Sequence, residues 1–92
     1  PTPRIPSEIK EGVVWTKDGR TVDREFRTGA GKSLDIALKG HPDLIILQSR
    51  SPSCGVKQHY DGTFTGTLID GSGVTAELLI RNGFRCIDVE DL

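Results

Sequence analysis

The sequence predicts a single α/β domain, with helices and a parallel sheet in a three-layer arrangement that is incomplete. Apolar residues at helical spacing alternate with short apolar runs in the order helix, strand, helix, strand. Successive strands joined through a helix lie parallel in one sheet. The length of 92 residues suffices for one domain. Because sheets usually hold about five or six strands, we expect N-terminal strands to be missing from this chain.

The composition excludes several classes of protein. Hydrophobic residues make up 35% and charged residues 27% of the chain, which is typical of globular domains. The net charge of -1 argues against a nucleic-acid partner. No apolar run reaches the roughly 18 residues of a membrane span, and no signal-peptide pattern begins the chain. Two cysteines are too few for a disulfide framework, so we expect a cytoplasmic protein with no membrane partner.

The N-terminal segment has no apolar periodicity. Residues 1–12 contain three of the five prolines and are predicted to form an extended, Pro-rich arm, because proline fixes φ and keeps the preceding residue out of the helical region. Residues 13–16, Val-Val-Trp-Thr, favour a short edge strand. Asp18 and Gly19 follow as a turn pair.

The first helix is predicted to begin at a Thr21 cap, with Asp23 in the first turn, where the helix dipole favours an acid. Gly40 is expected to end it, since Pro42 prevents its continuation. Residues 28–33, Thr-Gly-Ala-Gly-Lys-Ser, suggest a phosphate-binding loop, but they lack its first glycine and lie inside this helix. We therefore reject nucleotide binding there. One face of the helix carries the apolar residues Val22, Phe26, Ala30, Leu34, Ala37 and Leu38.

The second half of the chain continues the α/β pattern. Residues 44–47 are continuously apolar, as in a parallel strand covered on both faces. Residues 50–72 are rich in Ser, Gly, Thr and Asp, and so long a loop in a small domain is usually functional or folded into short pieces. Ser72 is predicted to cap a second helix over residues 73–82. Residues 84–89 are predicted to form the last strand.

The candidate site is the segment Ser-Arg-Ser-Pro-Ser-Cys-Gly, residues 49–55. It follows the first parallel strand, and open α/β sheets bind ligands at the carboxyl ends of their strands. Arg50 supplies a cation, and Ser51 and Ser53 supply hydroxyls. Cys54, between a serine and a glycine, suits a nucleophile or a metal ligand. An inert thiol in a serine-rich turn is the alternative.

The other candidate side chains have simpler interpretations. Cys86 lies in the last predicted strand, where a free cysteine behaves as a small buried hydrophobe. His41 follows the helix-ending glycine and is expected to be a surface cap. His59 lies five residues from Cys54 in the sequence, which leaves open a Cys–His nucleophilic pair.

Several motifs occur together in the order seen in one bacterial family. They are Pro1-Thr2-Pro3-Arg4 with Pro6 and Glu8-Ile9, then residues 50–55, then Tyr60-Asp61-Gly62-Thr63-Phe64-Thr65-Gly66, then Gly73-Val74-Thr75-Ala76, and finally Asn82-Gly83. This combination resembles the thiouracil desulfidase family, and the resemblance runs from Pro1 essentially to the end of the chain. It implies an enzyme that removes sulfur from a thiolated pyrimidine such as 2-thiouracil, with a [4Fe-4S] cluster held by three cysteines. Thiolates are the soft ligands that hold such clusters.

The resemblance also implies roles for individual residues. Cys54 matches the third cluster ligand, and Ser51 and Ser53 match catalytic hydroxyls. We place Arg50 and Gly55 at the substrate. The other two cysteine ligands lie upstream of this chain's first position in the family pattern, and the chain has neither. The resemblance therefore implies that these 92 residues alone bind no cluster.

Three interpretations remain open at this point. In the first, residues 1–92 are the C-terminal portion of a desulfidase-like domain that acts only with its missing N-terminal half. In the second, the chain is a non-catalytic remnant or an interaction module that pairs with itself or with another chain through an exposed sheet edge. In the third, it is a metal-free thiol protein that uses Cys54. The start at Pro1 and the absence of methionine lead us to expect a cut rather than a natural beginning.

Overall fold

A computed structural model describes residues 6–92 of the chain. Both predicted helices and both predicted parallel strands are present in it. Neither α-helix in this part of the chain is long and apolar enough to cross a bilayer. In chain order the elements are β1 (Ser7–Lys10), β2 (Val13–Thr16), α1 (Asp23–Gly40), β3 (Ile45–Leu47), β4 (Gln58–Tyr60), β5 (Leu68–Asp70), α2 (Val74–Arg81), β6 (Cys86–Asp88) and a 3-10 helix (Val89–Asp91).

The strands pair two by two in the described part of the chain. β3 and β6 are parallel, with Ile45 opposite Cys86 and Leu47 opposite Asp88. β1 pairs with β2, and β4 pairs with β5, both in antiparallel register. The parallel pair confirms the α/β class, because the chain passes from β3 to β6 through α2. A parallel sheet of two strands is consistent with the incomplete sheet that the sequence predicts.

The segment predicted as an arm over residues 1–12 forms a hairpin strand where the structure describes it. Ser7–Lys10 pairs with β2, and the chain reverses at Glu11 and Gly12, which both have positive φ. The prediction missed this strand because its residues, Ser-Glu-Ile-Lys, are mostly polar and form no β-prone run like the one that marks β2. Residues 1–5, which include the Pro-Thr-Pro-Arg motif, lie outside the described residues.

The predicted start of α1 is wrong by one residue, since Val22 rather than Thr21 is its N-cap. The Thr21 hydroxyl accepts the Asp23 amide at 3.4 Å and donates to the Val14 carbonyl of the hairpin at 3.3 Å. Asp23 lies in the first turn as predicted, and its carboxylate accepts the Val14 amide at 3.2 Å. His41 ends the helix in the left-handed region, at φ 47, which confirms its predicted position as a surface cap.

The predicted cap of α2 is also wrong, since Gly73 rather than Ser72 is its N-cap. The Ser72 hydroxyl donates to the Val56 carbonyl at 2.7 Å, so it is engaged away from the helix. Asn82 is the C-cap, and Gly83 follows with φ 90. The predicted stop of this helix is therefore confirmed.

A small apolar core joins the β1–β2 hairpin to the two helices. Ile9 and Val14 of the hairpin pack with Ala30 of α1 and Val74 of α2. The partly buried residues around this core are Val22, Phe26 and Leu78. Leu38, which the helical period predicts on the inner face, is 47% exposed. Ala37, one turn from the end of α1, is 6% exposed, so the inner face stays buried near the end of the helix while Leu38 lies at its margin.

β3 is more exposed than its continuous apolar run predicts. Ile46 is 49% exposed, and Leu44, just before the strand, is 40% exposed. Ile36 on α1 is 72% exposed. In the described part of the chain β6 lies on one edge of β3, and no strand lies on the other. The prediction of two-sided burial was wrong here, because the faces of a parallel strand are buried by elements packed above and below the sheet. Ile45 and Leu47 face residues of α1 and α2 across a cavity, whereas the described residues leave Ile46, on the opposite face, exposed.

The long loop predicted over residues 50–72 contains the β4–β5 hairpin, which is folded onto β1. The Glu8 carboxylate of β1 accepts the amides of Gly62 and Phe64 at 2.9 and 3.1 Å. Phe64 has a φ of 58, an uncommon conformation for a bulky residue. Two hydrogen bonds to one carboxylate hold this turn in place.

Candidate functional site

The loop that carries Cys54 begins where β3 ends. We define the Cys54 loop as residues 49–55. Because β3 and β6 are parallel, their carboxyl ends meet at this edge, where open α/β sheets bind ligands. The loop contains all the residues that the sequence places at the site, namely Arg50, Ser51, Ser53, Cys54 and Gly55.

Ser51 fixes the shape of this loop. Its hydroxyl oxygen accepts the backbone amides of Ser53 at 3.0 Å and of Cys54 at 3.1 Å. The Gly55 amide donates to the Ser51 carbonyl at 2.9 Å. A hydroxyl that accepts amides two and three residues ahead closes a compact turn. Ser51 therefore holds Cys54 in position, and its predicted catalytic role stays a prediction.

Backbone hydrogen bonds join the Cys54 loop to the start of α2. The amides of Thr75 and Ala76 donate to the Ser53 carbonyl at 2.8 and 3.1 Å, and the Val74 amide donates to the Pro52 carbonyl at 2.8 Å. First-turn amides have no partners within their own helix, so the loop satisfies them. The loop and the helix therefore form one unit.

Two glycines allow this close contact. The Gly73 amide donates to the Gly55 carbonyl at 2.7 Å. A Cβ added to Gly73 would lie 2.6 Å from the carbonyl carbon and oxygen of Ser53, and one added to Gly55 would lie 2.5 Å from the Gln58 carbonyl oxygen. Neither position has room for a side chain. Both backbone groups of Gly55 are engaged within the protein, and its predicted contact with substrate stays a prediction.

The Cys54 sulfur lies beside a mainly apolar cavity. Its Sγ atom is 3.7 Å from the Ser53 hydroxyl oxygen, which is 2.7 Å from the Thr75 hydroxyl oxygen. Cys54 and Thr75 both line a cavity of about 390 Å³ between α1 and β3, which we call the α1–β3 groove. Its other lining residues include Ile36, Pro42, Ile45, Leu47 and Leu79.

Cys86 and His59 lie in other surroundings. Cys86 is on β6 opposite Ile45, and burial raises the pKa of its thiol, which disfavours the reactive thiolate. The His59 Nδ1 atom lies 2.7 Å from the Tyr60 carbonyl oxygen, and its ring packs against Gly71. These contacts hold His59 in the β4–β5 hairpin. The described contacts of Cys54 do not support a Cys–His pair.

Asp88 is a buried acid beside the Cys54 loop that the sequence analysis missed. It ends β6 and is 2% exposed. The Ser49 hydroxyl donates to its Oδ1 atom, and the Glu90 amide donates to the same atom at 2.9 Å. The Ser49 hydrogen bond is the main reason why the pKa of Asp88 lies below the ordinary value of 3.8. The only sequence signal was an acid near the end of a predicted strand.

Asp88→Asn is expected to destabilise the chain at neutral pH by weakening its hydrogen bonds to Ser49 and Glu90. Because the folded pKa lies below the unfolded one, the carboxylate stabilises the fold above 3.8 and this contribution disappears as the pH falls through the folded value. The difference in unfolding free energy between the variant and wild type should therefore shrink below about pH 4. Urea unfolding at several pH values measures it, with Asp43→Asn on an exposed turn as control. A difference that stays constant would contradict this account.

Ion pairs join residues at and just beyond the two ends of the Cys54 loop to the 3-10 helix. Arg50 Nη2 lies 2.9 Å from Glu90 Oε2, and Lys57 Nζ lies 2.9 Å from Asp91 Oδ1. The hydrogen bond to Asp91 raises the pKa of Lys57. All four side chains are about half exposed, and such pairs open at little cost. Arg50 is therefore able to exchange Glu90 for another polar partner, and its predicted contact with substrate stays a prediction.

Comparisons with known proteins show which family the chain belongs to and which proteins it is similar to. The family of 2-thiouracil desulfurases matches residues 1–91. The uncharacterized protein YbbK of Bacillus subtilis (strain 168) is 40% identical over 101 residues, which cover 99% of this chain and 67% of YbbK. The solved structure of the [4Fe-4S]-dependent thiouracil desulfidase TudS matches with a TM-score of 0.94 and 37% sequence identity. That match covers 100% of this chain and 61% of TudS, so the chain spans less than two thirds of TudS.

Proposed function

Because the chain belongs to the 2-thiouracil desulfurase family, we propose that it forms the C-terminal portion of a desulfidase that removes sulfur from a thiolated pyrimidine such as 2-thiouracil. The resemblance read from the motifs is thereby confirmed at the level of the family. One observation carries the proposal. Cys54 lies on a loop joined to the start of α2, at the carboxyl ends of β3 and β6, in a fold that matches TudS at a TM-score of 0.94.

The chain alone does not fit a [4Fe-4S] cluster, although TudS depends on one. Such clusters are held by several cysteine thiolates. Among residues 6–92, no group of three or more His, Cys, Asp or Glu side chains is arranged to hold a metal ion. Cys54 and Cys86 lie on different elements. We propose that Cys54 is one ligand and that the other cysteine ligands come from outside these 92 residues.

The α1–β3 groove is the surface that suits this missing part. Cys54 lines the groove, so protein seated there comes close to the sulfur. Ile36 lines the groove and is 72% exposed, and together with the edge of β3 away from β6 it favours an apolar strand as the occupant. We propose that the occupant corresponds to the part of TudS that this chain does not cover. Self-association through the same edge is the alternative outcome.

The polar groups around Cys54 are suited to moving protons. Replacement of the thiocarbonyl sulfur of 2-thiouracil by a water oxygen forms uracil and releases the sulfur as sulfide. Protons must therefore leave the water and reach the departing sulfur and the ring. The Ser53 hydroxyl, 3.7 Å from Cys54 Sγ, is the group that we assign to this transfer. The Arg50 guanidinium, freed from Glu90, is assigned to a polar atom of the substrate.

A fusion protein tests the proposed function. We define the TudS fusion as this chain joined behind the part of TudS that it does not match, in keeping with cysteine ligands that lie upstream. After anaerobic reconstitution with iron and sulfide, the TudS fusion is expected to convert 2-thiouracil to uracil, measured by liquid chromatography. The 92-residue chain treated in the same way is expected to form none.

Two outcomes would overturn parts of this proposal. A fusion that carries the cluster and forms no uracil would refute the desulfidase assignment and favour the non-catalytic module. Uracil formation by the 92-residue chain alone would refute the requirement for outside ligands. Sedimentation separates the two occupants of the α1–β3 groove, since we expect the chain alone to self-associate and the fusion to remain monomeric.

A further inference from the structure

Thr75 is a buried polar residue at the edge of the site to which the sequence assigns no separate role. It lies in the first turn of α2 and is 4% exposed. Its Oγ1 atom is 2.7 Å from Ser53 Oγ, which in turn is 3.7 Å from Cys54 Sγ. Three side chains from two elements therefore form a line that ends at the sulfur. Thr75 and Cys54 also line the same groove.

The Thr75 hydroxyl is not needed to place the loop backbone. The amides of Thr75 and Ala76 already hold the Ser53 carbonyl, at 2.8 and 3.1 Å. These bonds persist when the Thr75 side chain changes. The hydroxyl instead acts on the Ser53 side chain, which has three staggered positions about its Cα–Cβ bond. A bond of 2.7 Å from a buried partner selects one of them.

The direction of the hydrogen bonds follows from counting protons. Each hydroxyl has one proton to donate and two lone pairs that accept. Among the described hydrogen bonds, Ser53 Oγ is the acceptor available to the Thr75 proton. When Thr75 donates to Ser53, the Ser53 proton remains free. In the structure the Cys54 thiol donates to Ser53 Oγ at 3.7 Å. A Cys54 thiolate that served as a cluster ligand would have no proton and would only accept, so the Ser53 proton would then point toward it. The reverse direction leaves the buried Thr75 proton without an acceptor, which is costly.

We propose that Thr75 is a positioning residue for desulfuration, which holds the Ser53 hydroxyl so that its proton faces the Cys54 sulfur and the substrate beside it. This inference rests on the proposed function, because it takes Ser53 as the group that transfers a proton. Thr75 touches neither substrate nor reacting atoms in this account. Its effect on the reaction passes entirely through Ser53.

Thr75→Val tests the proposal, because valine keeps the shape of threonine and removes the hydroxyl. In the TudS fusion, the variant is expected to lower kcat about tenfold and to leave KM within about twofold, since a misplaced reacting group affects the chemical step. Thr75→Ser, which restores the hydroxyl, is expected to recover most of kcat. In a Ser53→Ala background, Thr75→Val should cause no further loss, as expected for residues that act through one another.

The Ser53 side-chain conformation gives a readout that does not depend on activity. In crystal structures of the fusion, Ser53 should occupy a single rotamer in the wild type. It should occupy more than one rotamer in the Thr75→Val variant. Unchanged kcat in Thr75→Val, or an equal loss of kcat in the Ser53→Ala background, would overturn the inference. If the wild-type fusion is inactive, the proposed function fails, and the rotamer comparison alone decides the role of Thr75. A single Ser53 rotamer in Thr75→Val would then refute it.

Discussion

Cys54→Ser is expected to abolish cluster assembly and lower the desulfidase activity of the TudS fusion by about a thousandfold or more, because a serine hydroxyl does not replace a soft thiolate ligand. The chain offers a matched control in its second cysteine. Cys86→Ser makes the same atomic change on β6, where burial raises the thiol pKa and the cysteine acts as a small packed side chain. This control should retain the cluster and nearly all activity. Iron content and uracil formation measure both variants.

The reverse pattern would remove Cys54 from the account. If Cys86→Ser lost the cluster and Cys54→Ser kept it, the ligand assignment would be wrong. Uracil formation by an iron-free fusion that still required Cys54 would favour the metal-free thiol protein. The two cysteines therefore separate the cluster-dependent interpretation from the thiol-dependent one in a single pair of variants.

Gly73→Ala is expected to destabilise the chain by about 2 to 3 kcal/mol, as overpacking against a fixed backbone does. The added Cβ would lie 2.6 Å from the carbonyl carbon and oxygen of Ser53. Relief requires the Cys54 loop to move away from the start of α2, which breaks the hydrogen bonds that join them. Urea unfolding of the 92-residue chain measures the change, and faster alkylation of Cys54 should accompany it.

Gly29→Ala is the matched control for this substitution. Gly29 lies within α1 with nothing within 4 Å of an added Cβ, so alanine is expected to stabilise the chain by up to about 1 kcal/mol through helix propensity. Equal effects of the two substitutions would show that the loop and α2 are not packed as described. A stable Gly73→Ala variant with unchanged Cys54 alkylation would show the same.

The sequence predicted the elements whose signals are local and long enough to repeat. α1 and α2 carry apolar residues at helical spacing, and the run before Gln48 marks β3. The strands β1, β4 and β5 escaped prediction because their segments, Ser-Glu-Ile-Lys, Gln-His-Tyr and Leu-Ile-Asp, contain no continuous apolar run like that of the similarly short β3. Both predicted helix caps lie one residue before the observed ones. The Thr21 and Ser72 hydroxyls donate to distant carbonyls, of Val14 and Val56, which no local pattern reveals.

Only part of the site was predicted, because only part of it has a local signal in the sequence. The Cys54 loop is one continuous segment with distinctive residues, so its candidates were found together. Asp88, on β6, bonds to Ser49 of the loop across 39 residues of sequence. Thr75, on α2, bonds to Ser53 across 22 residues. In the sequence they are an ordinary acid and an ordinary helical threonine. Only the parallel pairing of β3 with β6, and the docking of α2 on the loop, give them a place beside the sulfur.

The iron content after anaerobic reconstitution tests the central claim most directly, because that claim is a division of the cluster ligands between Cys54 and protein outside this chain. We predict a full [4Fe-4S] complement of iron and sulfide per molecule for the TudS fusion, and none above background for the 92-residue chain. Sulfide and visible absorbance should follow the iron in both samples. A stoichiometric cluster on the 92-residue chain alone, or a folded fusion that binds none, would contradict the account.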